Sequence, residues 1–352
     1  MQKNYPGMFN LTKGLMMIAI MMMHAVTDGL LGYGLNIQSM KLFPLKILGY
    51  GSMPMFFMLC GYTTKKKSWK ACFKSQKVII KPYCMVAGFV LVISLISVYL
   101  AQGNYQDYLQ IVKYNFFPYL LAISAGTFMG IDSHGIGAIW FFVAFVLDTI
   151  ILNALLRLEK IWLQIGILIS MAIAGIYIGT GVLLPFYLPQ VLVGAGYMYA
   201  GICCKKMNIF NKKIHPAIWG GLAAGWIYMS WKGNVNMADN YWQCGMLDWA
   251  VSFGAGLCLL VGLQQLNIFE GKLFEKIRWI GRHTMWICCI HSVFQIAIPW
   301  NQLMQRISPW PIVSILVEFI VYIGGAVGIC FILEKMKHNR KKHYKRMLHK
   351  RN

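Results

Sequence analysis

The chain has 352 residues, of which 58% are hydrophobic and only 12% charged, about half the charged share of a soluble domain. That balance excludes a soluble globular enzyme, a disordered chain and a disulfide-rich secreted module. The net charge is +22, so the location of the cations decides what they do.

Apolar runs of about 20 residues recur along the whole length and predict an all-α, polytopic membrane helical bundle. In chain order the spans fall at residues 10–30, 44–63, 78–101, 136–158, 161–182, 184–204, 214–231, 245–265, 278–299 and 311–334. An eleventh stretch, 109–130, carries Lys113, Asn115, Pro118 and Ser124 and reads as an interfacial or re-entrant piece. The expectation is therefore one transmembrane domain of ten helices, 1–334, followed by a basic tail, 335–352, with both termini cytoplasmic. Threaded this way, 28 of the 33 Lys and Arg side chains lie inside, among them the run from Lys65 to Lys81. This is the positive-inside pattern. The cations set orientation and meet anionic lipids, and no nucleic-acid partner is expected. Of the ten cysteines only Cys244 falls in an outer loop, and no metal-ligand spacing occurs.

Ionisable side chains inside hydrocarbon are costly and mark candidate sites. Those considered are His24, Asp148, Asp248, His291 and Glu318. The first span gives the sharpest constellation. Lys13 and His24 are 11 residues apart, so they differ by about 20° around the helix and by about 16 Å along it. One face thus carries a cation at the cytoplasmic mouth and an imidazole near the membrane centre. A histidine can take a proton from a hydroxyl and return it to a leaving group. A lysine at the mouth can hold an anionic group of a cytosolic substrate. The plainer alternative is that His24 ties two helices together while Lys13 snorkels to the headgroups. Lys74 and Lys77, three apart, share a helix face and could grip phosphates, or simply anchor the topology. Trp140, in an aromatic run, suits packing as well as binding.

Four segments together resemble the acyltransferase-3 family of multi-span membrane acyltransferases. Lys13 to His24 (KGLMMIAIMMMH) is similar to the family's opening motif, a basic residue with a histidine 11 positions later. Met53 to Tyr62 (MPMFFMLCGY) is similar to its second span, with Cys60 where serine is usual. Lys74 to Lys77, followed by Lys81-Pro82-Tyr83, resembles its paired basic residues, with lysines where arginines are general. Ile280 to His291 (IGRHTMWICCIH) resembles its late span, with Thr284 for serine, and Ile139 to Phe142 fits a further motif. The flavour is nearest the sugar O-acetylase-like members.

The resemblance implies an enzyme that moves an acyl group, acetyl by expectation, from cytosolic acyl-CoA to a hydroxyl of an envelope glycan or related small acceptor. It assigns His24 as the catalytic base, with His291 orienting substrate. It places the donor on Lys13, Lys74 and Lys77. Asp148, Trp140 and Glu318 complete the set as candidate substrate-binding groups. The setting expected is a multi-pass protein of the bacterial plasma membrane, with no metal, and a homo-oligomer stays open. Two other readings stand beside it: a proton- or ion-coupled transporter or flippase, and a non-catalytic sensing domain on the same fold.

Overall fold

The computed structural model describes residues 7–34, 43–100, 102, 104–123, 125–128, 131–179 and 184–349. Lys3, Lys41, Lys350 and Arg351 of the charge pattern lie outside the described residues. The chain is 82% helical with almost no strand. It begins with α1 (Asn10–Gly32), α2 (Phe43–Thr63), α3 (Trp69–Leu100) and α4 (Tyr105–Leu121). A small hairpin of β1 (Ala125–Phe128) and β2 (Ile131–His134) leads to α5 (Trp140–Leu155), α6 (Ile161–Ile178), α7 (Leu188–Lys206) and α8 (Pro216–Lys232). A second hairpin, β3 (Val235–Asn236) and β4 (Tyr241–Trp242), precedes α9 (Met246–Gln265), α10 (Lys272–Arg282), α11 (Thr284–Ala297), α12 (Trp300–Ile307) and α13 (Pro311–His349).

Among the described residues seven helices are long and apolar enough to cross a membrane: α1, α2, α3, α5, α6, α9 and the first part of α13. The other three expected spans are occupied by α7, α8 and α11, which do not reach that length or apolarity. The largest departure is at the ninth span, expected over 278–299. The backbone leaves the helix at His283, with φ −109° and ψ 11°, and splits the segment into α10 and α11. The 14 residues of α11 reach about 21 Å, short of a hydrocarbon core about 30 Å thick. Short amphipathic helices, α10 and α12, flank it at its two ends.

The stretch 109–130 is not one of the seven. It forms most of α4 and then β1. A capping box starts α4: Asn104 Oδ1 accepts from the amides of Gln106 and Asp107, while Asp107 Oδ2 accepts from the Asn104 amide. The helix ends at Ala122, in the left-handed region with φ 46°. At the other end of the chain α13 continues without a break from Pro311 to His349, so the basic tail extends the last spanning helix.

The bundle is tied together where backbones meet closely. The α2 helix packs against α7 and α9, and α1 against α10 and α13. At the α2–α7 crossing a Cβ on Gly61 would overlap the Met198 carbonyl, and one on Gly201 would overlap the Met58 carbonyl. Only glycine admits that approach, the usual device for packing helices in lipid.

The charge pattern makes a topological prediction. Lys70 lies at the start of α3 and Gln106 in the first turn of α4, which follows the other end of α3; both are exposed. In a background without reactive native cysteines, Gln106→Cys should react with an impermeant maleimide in intact cells, and Lys70→Cys only after permeabilisation. The reverse order would turn the molecule over.

Candidate active site

One helix face builds the site. Lys13, Met17, Ile20 and His24 recur every three or four residues along α1 and all line one cavity of about 580 Å³. Its cationic end also holds Thr63 at the end of α2 and Lys205 near the end of α7. Phe9, one turn before Lys13, packs edge-on against Tyr62 at 5.1 Å between ring centroids. The Lys205 ammonium lies over the same Tyr62 ring at 5.6 Å, which turns it toward the cavity. Lys206 next to it is exposed. Further along, the walls are Ala138, Trp140, Phe141 and Cys288 around His24. Trp140 stacks on Tyr187, with centroids 5.5 Å apart and ring planes at 24°, so its indole is held rigidly in the wall.

Beyond His24 a compact polar cluster begins. Gln295 Nε2 lies 3.1 Å from His24 Nδ1 and 3.4 Å from Asp28 Oδ2. The Tyr322 hydroxyl donates to the same Asp28 oxygen at 3.0 Å. His291 is fully buried. Its ring centroid is 5.2 Å from that of His24 and 4.4 Å from that of Tyr322, edge-on. Glu318, also fully buried, sits one turn before Tyr322 on α13. The i, i+4 spacing explains most of this: Asp28 follows His24, Gln295 follows His291, and Tyr322 follows Glu318.

The Gln295 amide bears on the proton chemistry. An amide nitrogen only donates, so a nitrogen facing Nδ1 leaves the neutral imidazole with its proton on Nε2. Turning the amide over presents Oε1 to an Nδ1–H and frees Nε2 as the basic nitrogen, but it also sets Oε1 against Asp28 Oδ2, so that orientation requires a proton on Asp28. Oε1 has no hydrogen-bond partner among the described residues in the first orientation.

Of the residues singled out by sequence, Lys13, His24 and Trp140 line one cavity, and His291 and Glu318 stand behind His24. Asp148 does not join them. It is fully buried on α5, close to Gly194 of α7, and its carboxyl oxygens have no hydrogen-bond partner among the described residues. Lys74 and Lys77 are exposed on the first turns of α3 and do not line the cavity. Asp248 belongs to a different corner, accepting from the Tyr50 hydroxyl and the Cys244 amide, both at 2.5 Å.

Sequence reasoning misses four residues of the site: Asp28, Gln295, Tyr322 and Lys205. The four-residue step from His24 was enough to find Asp28. The same step from His291 marks Gln295, but an uncharged amide raises no flag. Among the described residues no group of three or more potential metal ligands forms. No curated protein and no solved structure matches the chain. The family model described as an acyltransferase domain matches residues 8–335. The chain belongs to the acyltransferase-3 family of membrane acyltransferases.

Proposed function

We propose that the protein transfers an acyl group, acetyl in the first instance, from cytosolic acyl-CoA to a hydroxyl of a cell-envelope glycan or related small acceptor. The observation that carries the reading is one cavity with two lysines at one end and an imidazole at the other. Acyl-CoA is a polyanion with a reactive thioester at its far tip. Lys13 and Lys205 would take the anionic part, and the apolar walls between them and His24 would take the rest.

The reaction then balances within this chain. His24 removes the proton of the acceptor hydroxyl as its oxygen attacks the thioester carbonyl. The carbon–oxygen bond forms and the carbon–sulfur bond breaks. The proton on His24 passes to the departing CoA sulfur, and the base is restored without net proton uptake. The wall around Trp140 keeps water from competing for the acyl group. The setting we infer is the bacterial plasma membrane, with the lysine end of the cavity facing the cytoplasm.

A direct test uses the purified protein in nanodiscs with radiolabelled acetyl-CoA and a panel of glycan and amino-sugar acceptors. Acceptor-dependent release of free CoA, together with label on an acceptor oxygen, is the expected result. Absence of both across the panel, with acetyl-CoA bound, would favour the non-catalytic alternative.

Gln295 supplies a finer expectation. In its acceptor orientation the amide would hold His24 with Nε2 free. Gln295→Leu keeps the bulk and removes that hydrogen bond, whose loss costs about 1 kcal/mol, about fivefold in rate. The fall should appear in kcat with the donor KM unchanged. A rise in donor KM alone would make Gln295 a part of the binding wall instead.

A further inference from the structure

A second cavity, of about 530 Å³, lies between α3, α4 and α5. One wall is the α3 stripe that includes Cys84, Gly88 and Leu91, and Tyr119 of α4 stands in the lining. Ile79 and Phe142 line both this cavity and the one that holds His24, so the two share a wall.

Two observations say what fills it. The first is the medium it opens to. Ile80, Phe116 and Leu120 in its lining are exposed at 44%, 43% and 56%, and only 17% of the most apolar stretch of α3 is buried. Residues 82–100 of α3 carry no charged side chain. An apolar cavity that opens on hydrocarbon fills with hydrocarbon, since water gains nothing there. The second is charge. The stripe Leu91, Gly88, Cys84 continues toward the helix start as Lys81, Lys77 and Lys74, at alternating steps of four and three, and all three lysines are exposed. They form a cationic rim on the cavity's own face.

We propose that this cavity is a lipid site. It takes one acyl chain of an anionic glycerophospholipid, with the chain along the Gly88 stripe and the phosphate against Lys77 and Lys81. The site depends on the chain being in a membrane and not on acyl transfer, so it stands or falls apart from the proposed reaction. It also gives Lys77, which stands off the His24 cavity, a ligand of its own.

The test uses the full chain in phosphatidylcholine nanodiscs doped with phosphatidylglycerol that bears a photoactivatable diazirine in one acyl chain. Adducts are mapped by peptide mass spectrometry. They should concentrate in 79–91 and 116–122 over the lipid-exposed face of α13 at Ile312, Leu316 and Ile320. Gly88 lines the cavity and a Cβ there meets no atom within 4 Å, so the ring of Gly88→Phe has an open path into the space and should reduce the two peptides to the α13 level. Lys77→Ala with Lys81→Ala, both at exposed positions, should lower the same adducts by about fivefold per lysine. A choline-headed probe should label the two peptides weakly. Adducts spread evenly over α3 and α13, or unchanged by Gly88→Phe, would overturn the site. Equal labelling by the two headgroups, with the lysine pair silent, would overturn its anionic selectivity.

Discussion

His24→Gln should abolish acyl transfer while leaving donor binding within about threefold, because general-base help is typically worth 100- to 10,000-fold and none of it is needed to bind. A hydroxyl is a poor nucleophile until its proton leaves as the carbonyl is attacked. The Gln side chain can still meet the Gln295 amide, but it cannot accept and return a proton. The surrounding cluster would survive the change, since Asp28 keeps the Tyr322 hydroxyl at 3.0 Å and His291 keeps its edge contact with Tyr322. Initial rates of acceptor-dependent CoA release, read beside donor affinity from equilibrium dialysis, separate the two quantities. His291→Ala should lower turnover with more residual activity, because His291 packs against His24 and does not line the cavity. Full transfer by His24→Gln would refute the catalytic assignment and leave His24 as a tie between α1 and α11.

How much of this was legible beforehand follows from what each signal measures. The helical class rests on composition summed over many residues, which local packing does not alter. Lys13 and His24 are legible because both lie on one regular helix, where spacing fixes direction. The break at His283 is not legible from apolarity, since the run after it stays apolar while Arg278 and Arg282 before it read as the charged end of a single span. What decides it is the close seat of α10 against α1, where a Cβ on Gly281 would overlap the Asn10 carbonyl. Lys205 was hidden for a similar reason. In sequence it is half of a Lys-Lys pair at an inner helix end, indistinguishable from a topology anchor. Only the placement of Tyr62 beneath it turns one of the pair inward. Lys74 and Lys77 show the converse: a correct reading of a shared helix face does not say which way that face points.

The donor end of the cavity carries the second large effect. Lys13→Met and Lys205→Met keep the length of each stem and remove the charge, so packing along the cavity wall is largely preserved. A hydrogen bond to a charged group is worth about 1.5–3 kcal/mol, and each 1.4 kcal/mol is a factor of ten in affinity. Each single variant should therefore weaken acyl-CoA binding by at least about tenfold, and the pair by about a hundredfold or more. The two ammonium groups would share one polyanion, so the effects need not add. Raising the salt should weaken the wild type more than the double variant, because screening acts only on charge still present. Lys74→Ala with Lys77→Ala is the matched comparison: the same number of lysines lost, at exposed positions outside the cavity. It should change donor affinity far less than the cavity pair. If instead the α3 pair produced the larger loss, the CoA end would sit on α3, and the two lysines beside Tyr62 and His24's own helix would return to packing and topology.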